Sequence, residues 1–406
     1  MYKKTLALSL TSLFCLPALA QSGVQLYGSA DAFFKYGKVM GDSTAGIDDG
    51  GIGNSFFSLR GEEELGAGLK AVFVLEEGFS IDSGKSCCMS EEDSSSNSGS
   101  ETFTQQAYVG LKGAFGQIAL GRQYAPGYFT DPYDALQGMT PSPQNWLSQL
   151  ANLTITPNAP ARWNNSVGYT GEFATVGVSA IYSAGNLETD QAHGASRTDD
   201  DKYGLGLRYE NGPLKIGAIY QAVKYKAHYD GGWLEASSGE DETQKDWMLG
   251  AAYDFGFATL AGSWQQGRDV LGASGFDVDL WQIGLIIPVV GEDTFNLAYG
   301  QAKLDGGNAI MGEGGSVKPK SLGAAYLHPL SKRTTVYAAY TWVDHDDLRW
   351  DQATALGQDD GLRAGFHRRD HPRVLTDGNE SAAQAAHMGG GHRAACRVAH
   401  PLRGAV

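Results

Sequence analysis

Lys202-Tyr203-Gly204-Leu205-Gly206-Leu207-Arg208-Tyr209 is the stretch that decides the reading of this chain. Tyr203, Leu205, Leu207 and Tyr209 fall on one face and Lys202, Gly204, Gly206 and Arg208 on the other, the period of two that a strand imposes. The same alternation recurs at 166–170, 175–182, 247–253, 294–301 and 334–342, always with Gly, Ser, Thr or charge on the second face. A water-soluble sandwich buries its apolar face in a core where small and large residues alternate. Here the aromatic residues instead mark the segment ends. Tyr169, Tyr182, Tyr203, Tyr209, Tyr220, Tyr253, Trp264, Tyr299, Tyr326, Tyr340 and Trp342 fit the interfacial girdles of a lipid-facing band, with ordinary strand aromatics as the alternative.

Connections alternate between short and long. Short ones include Gly66-Ala67-Gly68, Gly113-Ala114-Phe115-Gly116, Asn211-Gly212-Pro213, Asp254-Phe255-Gly256, Gly291-Glu292-Asp293 and Pro329-Leu330-Ser331. Long polar ones lie at 38–52, 80–100, 124–162, 185–201, 227–245, 268–275 and 304–318. About sixteen strands fit between them, the first opening near Val24 and the last near Gln358. An even number of strands puts both ends of the barrel on one side, and sixteen leave a water-filled lumen where eight would be filled by side chains. The expected fold is all-β, a sixteen-stranded antiparallel transmembrane β-barrel.

Residues 1–20 read as a secretory signal: Lys3 and Lys4 precede the apolar stretch 6–16, and Ala18-Leu19-Ala20 offers a cleavage site ahead of Gln21. Lipidation at Cys15 is disfavoured by the bulky Leu13-Phe14 before it. Beyond this segment no apolar run approaches the roughly eighteen residues of a helical span, and 285–290 is far too short, so only a barrel could place the chain in a bilayer. The four cysteines give no disulfide framework: Cys15 leaves with the signal, Cys87 and Cys88 are adjacent in a Ser-rich loop, and Cys396 lies in the tail.

The formal net charge is −15, or −17 without Lys3 and Lys4, which argues against a nucleic-acid partner. Solubility of surface loops and a role in ion selection both account for the acidity. No Gly-x-Ser-x-Gly elbow, Walker loop, dinucleotide-binding glycine motif or His-Glu-x-x-His zinc helix is present, so neither catalytic residues nor a cofactor is expected. His367, His371, His387, His392 and His400 cluster near the end, but their irregular spacing makes no metal site. An enzyme built into an outer-membrane barrel is the rival class.

Several ordered blocks resemble the trimeric porins of Gram-negative bacteria, in particular those of β-proteobacteria. They are Val24-Gln25-Leu26-Tyr27-Gly28 with Asp31, the run from Leu59-Arg60-Gly61-Glu62 to Lys70-Ala71, Ala107-Tyr108-Val109-Gly110-Leu111-Lys112-Gly113, Phe115-Gly116-Gln117 to Gly121-Arg122-Gln123, Arg162-Trp163-Asn164-Asn165-Ser166-Val167-Gly168-Tyr169, and Leu330-Ser331-Lys332-Arg333-Thr334. The resemblance implies a homotrimer of independent pores in outer-membrane lipid and lipopolysaccharide, passing small hydrophilic solutes and ions. It also implies a long third loop, residues 124–162, folded inside each barrel to narrow it, and a second loop, 80–100, that latches onto a neighbouring subunit. Asp131 and Asp134, the only acids of the third loop, are candidates for the acidic side of the constriction, with solvated loop carboxylates as the alternative.

Family members place arginines on several barrel strands at the constriction. Phe56 and Gln105 stand at two of those positions and Arg162 at the third; Arg122 is kept, but in phase with outward-facing Ile118 and Leu120. Residues 367–406 hold six arginines against three acids, so 21–366 carry −20. The expectation is a general diffusion pore that favours cations; a channel specific for a sugar or an organic acid is the alternative. The strand at 361–368 looks like the family's last, yet Asp370 stands where a terminal Phe is expected. The barrel is assigned to 21–369, and 370–406 is taken as an irregular, disordered or frameshifted tail.

Overall fold

The computed structural model describes residues 23–39, 42–86, 102–185, 201–225, 242–306, 316–344 and 360–370. They form a single antiparallel sheet of β1 (Gly23–Val39), β2 (Asp42–Asp49), β3 (Phe56–Gly66), β4 (Leu69–Gly78), β5 (Gln106–Gly113), β6 (Gly116–Tyr124), β7 (Arg162–Phe173), β8 (Val176–Ser183), β9 (Lys202–Asn211), β10 (Leu214–Lys224), β11 (Thr243–Asp254), β12 (Thr259–Arg268), β13 (Asp277–Pro288), β14 (Thr294–Asp305), β15 (Ser316–Val317), β16 (Lys320–Ser331), β17 (Thr334–Asp344) and β18 (Asp360–Asp370). The one α-helix among them, α1 (Pro143–Leu150), interrupts the connection between β6 and β7.

Neighbours in sequence are neighbours in the sheet. β1 pairs on one edge with β3 and on the other with β18, from Gly28↔Asp370 to Lys38↔Asp360. β18 also pairs with β17, so the succession of pairings returns to β1. Sixteen strands make up this succession. β2 and β15 are short extras, laid beside the ends of β1 and β14 in line with β3 and β16. The sequence reading took both for loop because their residues are polar and do not alternate. Of the tail assigned to 370–406, Asp370 is the last residue of β18; residues 371–406, the signal segment and most of the second loop lie outside the described residues.

Strand phase divides outside from inside. On β9, Tyr203, Leu205 and Leu207 are exposed while Lys202, Gly204 and Gly206 are buried. The exterior band of Leu, Ile and Val continues around the barrel between Trp247, Trp264, Trp281, Tyr340 and Trp342 towards one end and Tyr253, Phe255 and Phe295 towards the other. An apolar outer surface with aromatic borders is stable only in a bilayer. The short turns are as tight as their sequences demand: Gly66, Ala67 and Gly68 all hold positive φ, at 94°, 52° and 77°, which two glycines reach without steric cost.

Candidate functional site

The segment that follows β6 folds into the barrel and lies against the inner faces of β8 to β16. Polar side chains in the inward phase hold its backbone. Gln221 on β10 accepts from the Gly127 N–H at 2.6 Å and donates to the Thr154 carbonyl at 2.9 Å. Asp246 on β11 accepts from both the N–H and the hydroxyl of Thr154 at 2.6 Å. Gln282 on β13 donates to the Tyr133 carbonyl at 2.6 Å, and Asn296 on β14 to that of Ala135 at 3.0 Å. In α1, capped by Ser142 and opened by Pro143, Leu147 and Leu150 pack on Val278, Leu280, Ala302 and Leu304. The small inner residues are what admit the loop: a β-carbon on Gly217 or Gly250 would overlap the Tyr133 ring, and one on Gly323 would meet Pro141. Burial pushes the Tyr133 phenol up to about 12, so it stays neutral.

With the loop seated on that side, the throat forms against β1 and β3 to β7. Its centre is Glu76 on β4, 1% exposed. The Tyr124 hydroxyl lies 2.7 Å from one carboxylate oxygen and the Tyr27 hydroxyl 3.2 Å from the other. Tyr124 also reaches the Gln105 side-chain oxygen at 2.8 Å, which accepts from Arg162 Nε at 2.9 Å. The Arg162 guanidinium lies over the Tyr124 and Tyr128 rings, themselves stacked at 3.7 Å, with centroid distances of 5.6 and 5.3 Å. Phe56 meets Tyr27 edge-on at 5.9 Å. Burial raises the pKa of the Tyr128 phenol; Arg162 lowers it, and Glu76 and Asp131 raise it further, so three charges converge on one ring.

The six residues singled out from sequence therefore separate. Phe56, Gln105 and Arg162 belong to the cluster around Glu76, and Asp131 is buried within electrostatic reach of Tyr128 beside them. Asp134 does not join them. Its carboxylate accepts from the Leu136 and Gly138 N–H groups at 2.9 and 3.0 Å and from the Ser142 hydroxyl at 2.5 Å, which fixes a turn of the loop. Burial raises its pKa above the ordinary value despite these bonds. Arg122 stands opposite Ala107 on the outer face, with Val109 and Leu120, and donates to the Thr104 carbonyl at 2.9 and 2.7 Å; its place is outside the lumen. Sequence reasoning missed Tyr27, Glu76, Tyr124 and Tyr128. The signal for Glu76 was its phase: Val72, Val74 and Glu76 share the inner face of β4, and Glu77 points out.

A sheet of this strand order, apolar outside and loop-lined within, has a counterpart in known families. The family model described as Gram-negative porin matches residues 5–348. The chain is a Gram-negative porin. It is 30% identical to outer membrane porin protein 32 of Delftia acidovorans over 365 residues, covering 86% of this chain and 90% of that one. Among solved structures it is similar to an anion-selective porin from Comamonas acidovorans, with a TM-score of 0.65 and 24% identity, covering 86% of this chain and 100% of the other. An outer-membrane protein of Vibrio cholerae solved in a trimer form has a TM-score of 0.57 at 16% identity, covering 86% and 98%. This porin is accordingly an outer-membrane channel and not an enzyme.

Proposed function

We propose that this porin is a general diffusion channel for small hydrophilic solutes and ions, assembled as a homotrimer in the lipopolysaccharide-containing outer membrane, and that it favours cations. The carrying observation is the seat of the third loop: it is held against the inner faces of β8 to β16, while the inward polar side chains of β1 and β3, Gln25 and Arg60, stay half-exposed on the other side. Two features support the cation preference. Phe56 and Gln105 supply no positive charge, and the arginine beside them, Arg162, is 3% exposed and screened by two stacked tyrosines. Glu76 adds a carboxylate buried within the wall, offset by two hydroxyl contacts and by no ion pair among the described residues. A low-dielectric wall screens such a charge poorly, whereas the acidic loops at the mouth act only through a Debye length of about 10 Å at 0.1 M salt.

The alternative of a sugar channel calls for rings spaced along the passage. Inward rings do exist here, contrary to the sequence reading, but Tyr27, Phe56, Tyr124 and Tyr128 form one compact, buried cluster. Single-channel recording in a planar bilayer tests the proposal. A stable open pore with a cation-directed reversal potential across a potassium chloride gradient is expected, shifted towards anions when Phe56→Arg and Gln105→Arg are combined. Strong anion selectivity in the native pore, or no shift, would show the throat to be misplaced.

A further inference from the structure

Arg60 stands on the inner face of β3, opposite Gln25 of β1 and Val74 of β4, nearer the short-turn end of the barrel than Glu76. It is half-buried, unlike Arg162. Its position is fixed from two sides. Nε donates to the Gln25 side-chain oxygen at 3.0 Å, and the guanidinium carbon lies 4.9 Å above the centroid of the Tyr27 ring. That ring is held in turn by its hydroxyl, 3.2 Å from Glu76, and by its edge-on contact with Phe56.

The two terminal nitrogens have no acceptor among the described residues. Glu62, next along the same face of β3, is engaged by Lys70 at 3.1 Å and Lys112 at 3.3 Å. Lys35 is paired with Asp48, and Arg208 with Glu172 and Glu210. Glu76 is turned to its two tyrosines and lies too deep to reach the solute side.

We infer that Arg60 is a docking point for small carboxylates on the wall of the passage. A guanidinium anchored through Nε presents its remaining N–H groups as a planar fork, which matches the two oxygens of a carboxylate with two parallel hydrogen bonds. Chloride carries the same charge but is a single sphere, with no pair of acceptor atoms to make two parallel bonds. Pre-organisation by Gln25 and Tyr27 removes much of the side-chain entropy that a free arginine loses on binding. The site therefore sorts anions by shape within a pore whose overall field disfavours them, and it gives an organic acid a stepping place just past the throat.

The inference rests on the channel reading, and the test separates the two. Bi-ionic potentials of the reconstituted full-length porin, acetate against chloride with potassium on both sides, give the relative permeability of the two anions. Potassium chloride conductance recorded alongside shows that each preparation contains open pores. In the native protein the acetate-to-chloride ratio should exceed the ratio of their mobilities in free solution. Arg60→Lys keeps the charge but not the fork, and should lower the ratio about threefold or more; Gln25→Ala, which frees Nε, should lower it less. A native ratio equal to the mobility ratio, or an Arg60→Lys pore with the native ratio, overturns the docking point. A native protein with no conductance overturns the channel reading instead. Should Arg60→Lys fail to give open pores, the Gln25→Ala ratio decides in the same way.

Discussion

Glu76 and Glu77 are adjacent, yet they do opposite things because a strand turns them to opposite faces. Glu77 faces out and accepts from the Phe103 and Thr104 N–H groups at 2.6 and 3.0 Å, tying down the return of the second loop. Glu76 faces the throat. At an effective dielectric of about 20, two unit charges about 7 Å apart interact by about 2 kcal/mol, enough to alter ion partitioning severalfold. Glu76→Gln keeps the shape and can still bond Tyr27 and Tyr124. It should move the reversal potential towards anions, with the permeability ratio changing about three- to tenfold; an unmoved potential would leave selectivity to the mouth loops. Asp134 makes a different prediction. Its pKa in the folded loop lies above the ordinary 3.8, so the folded state holds the proton more tightly than the unfolded one. The stability this contributes is fully present below 3.8 and is lost as pH rises through the raised value. Compared with Asp134→Asn, the native protein should gain in thermal midpoint as pH is lowered towards 3.8, and the gap should level off below it. A gap that widens with rising pH would contradict the burial argument. At this scale the sequence was only partly legible. Arg162, Phe56 and Gln105 could be placed by their blocks, whereas the partners of Glu76 come from strands distant in sequence, and no local pattern announces them.

The third loop shows what one element asks of the strands around it. Alternation made the strands legible to within a few residues: Leu69, Lys202, Leu214, Thr294, Lys320 and Thr334 open strands where the sequence places them. The length and polarity of 124–162 marked the loop as exceptional. Its route was hidden, because the inner glycines that receive it look the same as glycines lining open water. Gly250→Leu tests that seat. The new side chain would displace the Tyr133 ring towards the passage, and overpacking of this kind costs about 1–3 kcal/mol. Single-channel conductance should fall and open-channel noise should rise. Native conductance in this variant would mean that the loop has another place to rest.

For the whole molecule, strand count, outer apolar band and membrane location were readable because each is repeated many times over, so an error in one strand does not change the answer. The end of the chain is a single event with no such redundancy. β18 pairs as far as Asp370, where the porin resemblance calls for a terminal aromatic. Replacing Asp370 by Phe and stopping the chain directly after it should increase the yield of heat-modifiable trimer, read by gel mobility with and without boiling. Equal or lower yield would assign 371–406 a part in assembly.

The one-sided seat of the third loop also divides the lumen into two territories with different tolerance to change. Along β9 to β16, inward positions are judged by size: Gly217, Gly250 and Gly323 have no room for a side chain, whatever its polarity. Along β1 and β3 to β5, inward positions such as Gln25 and Arg60 stay half-exposed and are judged by sign and shape. A saturation scan of inward residues, scored for growth on a solute that must enter through this pore, should split into two halves by strand. Apart from the polar anchors Gln221, Asp246, Gln282 and Asn296, one half would rank substitutions by volume and the other by charge, and an engineer wanting a new selectivity filter should leave the first half untouched.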